Sequence, residues 1–123
     1  MIYVCSPLRG DTSEIVTRNM MRARTWVAQV AKEKGEHAIA PHAYLPEMLN
    51  DNDPIQRSIA VELGMRILEK CDRLVVCGNQ ISGGMQAEIR RAFELGIPVE
   101  HRLTSYVYCR LYPKGAAARK VEE

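Results

Sequence analysis

Apolar residues in this chain follow two rhythms, short unbroken runs and longer stretches with helical spacing, and the two alternate as far as residue 99. The first run, Ile-Tyr-Val-Cys at 2–5, is β-prone, and SPLRGD after it reads as a turn because proline and glycine bracket it. Over residues 14–34, Val16, Met20, Ala23, Val27, Val30 and Ala31 recur at helical intervals with Trp26 beside the stripe, which predicts a helix stopped by Gly35. Ala38, Ile39 and Ala40 predict a brief second strand ended by Pro41. Residues 43–54, with two prolines and an NDND cluster, predict a long irregular crossover, a kind of segment that often carries function. A second helix is expected from Pro54 or Ile55 to about Lys70, burying Ala60, Leu63, Ile67 and Leu68. Then come a buried strand at 73–77, a polar loop at 78–82, and a helix at 83–95 turning Met85, Ile89, Ala92 and Phe93 inward, with Gly96 as its stop. Val99 opens another strand after Pro98. Residues 103–111 alternate loosely, carry Tyr106 and Tyr108 with Tyr112 just beyond, and read as a strand or an interface segment.

Strands and helices taken in turn predict an α/β domain, a three-layer Rossmann-like or flavodoxin-like fold with a parallel sheet of four to five strands. With 123 residues, 46% of them apolar, the chain has material for one core, so residues 1–112 are expected to form a single domain and 113–123 a frayed tail. The formal charge of +2 comes from scattered Lys and Arg, which gives nucleic-acid or membrane-surface binding no support. No apolar run approaches the roughly 20 residues that span a bilayer, and the opening MIYVCSPLRGD lacks the pattern of a secretory signal, so a cytoplasmic location is expected. Cys5, Cys71, Cys77 and Cys109 form no Cys-x-x-Cys pair and the three histidines are scattered; no metal site and no cofactor are expected. Cys5 and Cys77 read as small buried hydrophobes.

Candidate chemistry gathers where the strands end, because open α/β sheets bind ligands at the carboxyl edge. Arg9 and His42 follow the first two strands at that edge. Arg9 is either a ligand contact or an ordinary surface arginine, and His42 either a ligand contact or a hydrogen-bonded structural residue. Ser82 occupies a helix N-cap position, and Glu88 follows six residues later. Helical side chains lean toward the N-terminus, so Glu88 is expected to point over Gly84 and Met85 toward the loop, where two glycines leave room for a ligand. The competing reading is a solvated carboxylate near the favourable end of the helix dipole. Arg57 either adds a cation to this edge, with Arg9 and His42, or pairs with Asp51 or Asp53.

Tyr3, Arg9, His42, Asp72, Ser82 and Glu88, in this order, make the sequence resemble the nucleoside 2-deoxyribosyltransferase-like superfamily. That group includes nucleoside deoxyribosyltransferases, deoxynucleoside-monophosphate N-glycosidases and uncharacterised bacterial and phage relatives. The likeness runs from Ile2 to about Val99: IYVCSPLRGD is similar to the first strand and nucleotide-binding loop, APH to the end of the second strand, and CDRLVV with SGGMQAE to the third strand and catalytic helix. It implies that Glu88 is a nucleophile attacking the anomeric carbon, giving a covalent glycosyl-enzyme that water or a second base resolves with retention. It also implies that Tyr3 holds Glu88 by its hydroxyl, although an ordinary strand tyrosine satisfies the sequence equally. Arg9 and Ser82 match contacts to a 5′-phosphate, with Ser6 and Gly84 beside them in the same loops. Two departures stand out. The family's helix aspartate that assists the leaving base is Gly64, with Glu62 on the opposite side of the helix, and a loop serine is Pro7, with Ser6 adjacent. The expectation is therefore an enzyme cleaving or exchanging the N-glycosidic bond of a nucleotide or nucleoside, or else a non-catalytic nucleotide-binding sensor on the same fold. The partner is a small molecule, and a homo-oligomer is expected from the relatives, whose neighbouring subunits help close the pocket.

Overall fold

The structure, a computed structural model, describes residues 1–102 together with the strand at 119 and 120. Its elements are β1 (Ile2–Cys5), α1 (Ser13–Lys34), β2 (Ala38–Ile39), a 3-10 turn (Pro41–Ala43), α2 (Leu45–Met48), α3 (Pro54–Glu69), β3 (Arg73–Cys77), α4 (Gly83–Leu95), β4 (Val99–Arg102) and β5 (Arg119–Lys120). The strands form one parallel sheet of order β2-β1-β3-β4-β5. β1 is buried along its whole length, and β3 at every position but Arg73, which is why both read as apolar runs rather than alternating strands.

The two-residue period of a strand sorts these side chains into two cores. Ile2, Val4, Val75 and Cys77 meet Ala23 and Val30 of α1 on one face. Tyr3, Cys5, Leu74 and Val76 meet Leu68 of α3 and Met85, Ile89 and Ala92 of α4 on the other. The result is the three-layer α/β fold expected from the pattern. From β1 the chain crosses to β2 on one side and then returns past β1 to β3 on the other, so the carboxyl ends of β1 and β3 flank the point where the order reverses. Open sheets leave a crevice there.

Local signals set the helix ends. Thr12 caps α1 by accepting from the Ile15 amide at 3.2 Å, Asp53 caps α3 by accepting from the Ile55 amide at 2.9 Å, and Ser82 caps α4 by accepting from the Met85 amide at 3.2 Å. Gly96 ends α4 with φ 73°, a left-handed conformation that side chains resist. Among the described residues no helix is long and apolar enough to cross a membrane.

Four details differ from the sequence pattern. Ala40 leaves the second strand and precedes the 3-10 turn, and the crossover expected to be irregular contains α2. Leu63 is 40% exposed and Phe93 41%, although both were expected in the buried stripes. On α3 the buried line is Gly64 and Leu68. A Cβ at residue 64 would lie 3.5 Å from the Tyr3 hydroxyl, so the Gly64 face of α3 sits against the tip of the Tyr3 side chain while Leu63 is exposed. In the stretch expected to be a frayed tail, Arg119 and Lys120 pair with Glu100 and His101 as a fifth strand. The segment 103–111, the tyrosines it carries and the boundary at 112 lie outside the described residues.

Candidate active site

The crevice is a cavity of about 420 Å³, a size suited to a small-molecule ligand. Its floor is the end of β1 and its rim is supplied by the loop after β1, the 3-10 turn, α2, the first three turns of α3 and the start of α4. All eight residues singled out from the sequence line it: Tyr3, Ser6, Arg9, His42, Arg57, Ser82, Gly84 and Glu88.

Tyr3 is almost fully buried and donates its hydroxyl to Glu88 Oε2, across 85 positions of sequence. Glu88 therefore turns inward from α4, and the solvated alternative does not apply. Burial pushes the Glu88 carboxyl up from its ordinary value of 4.5 to about 7, against the Tyr3 hydroxyl and the Cys5 thiol, which favour the ionised form. Burial, and after it the neighbouring carboxylate, raises the Tyr3 phenol well above its ordinary range, so Tyr3 remains a donor at neutral pH.

Ser6 Oγ and His42 Nε2 are 2.7 Å apart at the ends of the first two strands. Burial pushes His42 down to about 4, so its imidazole is neutral at pH 7. This corrects the expectation of a third cation: His42 offers hydrogen bonding only. Arg9 pairs with Asp51 at 3.6 Å, and both side chains remain open to solvent. Asp53 is occupied in capping α3 and in accepting from Gln56 at 3.1 Å, so Arg57 takes neither of the partners suggested for it and stands in the cavity wall. The first turn of α4 begins at Gly83 and Gly84; a Cβ at Gly83 would meet open space, and one at Gly84 would touch only Ser82 Oγ, at 4.0 Å. Backbone amides at such a helix start are unpaired within the helix and attract anions. Asp72, part of the sequence resemblance, lies before β3 at the opposite end of the sheet and pairs with the amino group of Met1 at 2.6 Å.

Several residues of the site were not singled out from the sequence. Cys5 lies on the face of β1 that carries Tyr3, and its thiol donates to the Met85 carbonyl at 3.9 Å and favours the ionised form of Glu88; the strand period that places residues 3 and 5 on one face was a usable signal for it. Asn19 is a buried polar residue of α1, next to the predicted stripe; its Nδ2 donates to the Leu8 carbonyl at 2.9 Å and so fixes the loop bearing Arg9. Arg24 donates to the Ala43 carbonyl at 3.0 Å, pairs with Glu47 and lies 4.6 Å from the centre of the Tyr44 ring, pinning the wall formed by the turn and α2. Neither Arg24 nor its partners carried a sequence signal. Leu45, Pro46, Leu49, Ala60, Val61 and Met65 make the remaining wall largely apolar.

The fold of the chain is similar to that of a 2-deoxyribosyltransferase. A 2-deoxyribosyltransferase from the psychrotolerant bacterium Bacillus psychrosaccharolyticus aligns with a TM-score of 0.60 and 16% identity, over 81% of this chain and 69% of that one. A conserved protein from Enterococcus faecalis V583 aligns with a TM-score of 0.56 and 18% identity, over 99% of this chain and 90% of the other. The chain belongs to the family described as a domain of unknown function, DUF7768, whose model matches residues 1–102. No curated protein matches it.

Proposed function

We propose that this protein cleaves or exchanges the N-glycosidic bond of a nucleotide, with Glu88 as the nucleophile. The observation that carries the reading is the Tyr3 hydroxyl bonded to an enclosed Glu88 carboxyl that faces a cavity of nucleotide size. A carboxylate in that setting stabilises an oxocarbenium-like transition state and then bonds the anomeric carbon, while the phenol holds its other lone pairs in place. The glycosyl ester is released to water or to a second base. Arg9, Arg57 and the amides at the start of α4 favour a 5′-phosphate over a free nucleoside. Ser6 and His42, both uncharged, suit sugar hydroxyls, and the apolar wall suits the base. Because the reactive form is ionised and the carboxyl titrates near 7, the rate rises with pH through about 7.

Incubation with 2-fluoro-2-deoxyribosyl nucleotides followed by mass spectrometry tests the proposal. A glycosyl adduct on the peptide containing Glu88, absent from Glu88→Gln, is expected. The second reading, a nucleotide-binding sensor without turnover, is favoured by Gly64 in the place of an acid that could assist the leaving base. It predicts nucleoside monophosphates raising the melting temperature with neither adduct nor base release.

A further inference from the structure

The wall beside Glu88 is short of proton donors. Gly64 is the α3 residue facing the Tyr3 hydroxyl, and Ala60, Val61 and Met65 around it are apolar. Of the other titratable groups lining the cavity, Tyr3 already donates to Glu88, His42 is neutral and held to Ser6, Asp51 is paired with Arg9, and Arg9 and Arg57 do not release protons. Among the described residues, then, nothing in this cavity is suited to protonating a departing base. An ordinary neutral purine or pyrimidine leaves as a poor anion unless it is protonated. A base that is already cationic leaves neutral and needs no proton.

Resting on the reading of Glu88 as nucleophile, we propose that the substrate is a nucleotide with a cationic heteroaromatic base, such as a pyridinium or an N7-alkylated purine, joined through its C1′–N bond. In the first step the C1′–N bond breaks and its electron pair goes to the ring, cancelling the positive charge. A Glu88 oxygen forms the C1′–O bond in the same step, and no proton moves. Water then adds at C1′, the ester bond breaks with its pair returning to Glu88, and the proton lost by water passes to solvent. The zwitterionic character of such a nucleotide also fits a cavity that carries two arginines together with the carboxylates of Asp51 and Glu88.

The test compares the full chain on nicotinamide mononucleotide and 7-methylguanosine 5′-monophosphate with AMP, GMP and their deoxy forms, reading base release by chromatography. Cleavage of the cationic set, with no solvent deuterium isotope effect on the bond-breaking step, is expected. Gly64→Asp should raise the ratio of neutral-base to cationic-base cleavage by about 10²–10⁴-fold, the usual contribution of a general acid, and Gly64→Asn, without a proton to give, should not raise it. If Gly64→Asp fails to fold, a series of substituted pyridinium nucleotides on the unmodified chain serves instead, with rates that fall steeply as the leaving pyridine becomes more basic. Neutral-base nucleotides cleaved as fast as cationic ones through a Glu88 adduct would overturn this inference and leave the glycosidase reading intact. Absence of any cleavage and any adduct would overturn both.

Discussion

Glu88→Gln is a direct measure of how far the carboxyl has been removed from water. The amide keeps the shape of the side chain and an oxygen that accepts from Tyr3, but it cannot ionise. A carboxyl with an ordinary value of 4.5 that titrates at about 7 in the folded protein holds its proton longer folded than unfolded. The sign follows from linkage: between those two values the native state binds more protons, so stability falls as pH rises through the interval and levels off above it. At ~1.4 kcal/mol per pH unit, the interval corresponds to about 3 kcal/mol. The glutamine protein lacks this loss, so its stability advantage over the native sequence should grow by about 3 kcal/mol between pH 4.5 and pH 8, or on the order of 10 °C in melting temperature. Urea denaturation of both proteins at pH 5, 6, 7 and 8 reads the difference. An advantage that does not change with pH would mean that the carboxyl is solvated, and the cavity would then have no activated acid in it.

Other substitutions test the supports of the site. Tyr3→Phe removes the donor that opposes burial, so the Glu88 titration moves above about 7; a carbon-13 NMR titration of the carboxyl should show it, and a midpoint unchanged or lowered would contradict the arrangement. Ser82→Ala deletes the cap of α4 and should cost about 1 kcal/mol in urea denaturation, with weaker nucleotide monophosphate binding by calorimetry. Gly78→Ala forces a side chain onto φ 107° and brings its Cβ within 3.1 Å of Pro7 Cδ; a loss of about 1–3 kcal/mol is expected, whereas a neutral result would mean that this loop relaxes freely. Leu68→Ala opens the core between α3 and the sheet and should cost about 2–5 kcal/mol by the same assay.

Much of this architecture was legible along the chain because it depends on short-range physics. Strand runs and helix stripes report the two periods of the backbone, and Gly35, Gly96 and Ser82 act on their own neighbours. Even the face shared by Tyr3 and Cys5 is a local property. The stripes misled where packing overrode period: Leu63 and Phe93 are apolar at the right spacing, yet both are exposed, and on α3 it is Gly64 that faces the Tyr3 hydroxyl. Partner choice among charges was equally hidden, since Asp53 was taken by its own helix and Asp51 by Arg9, leaving Arg57 in the cavity wall.

The sequence by itself determined the first four strands, the three long helices, their order and the arrival of Tyr3, Arg9, His42, Ser82 and Glu88 toward the carboxyl edge of a parallel sheet. Only the tertiary structure decided that Glu88 turns inward to Tyr3, that its carboxyl titrates near 7 and that His42 is uncharged. Periodicity is carried by a few adjacent residues, whereas the proton affinity of a group depends on everything that displaces water around it, and those atoms come from segments far apart in the chain.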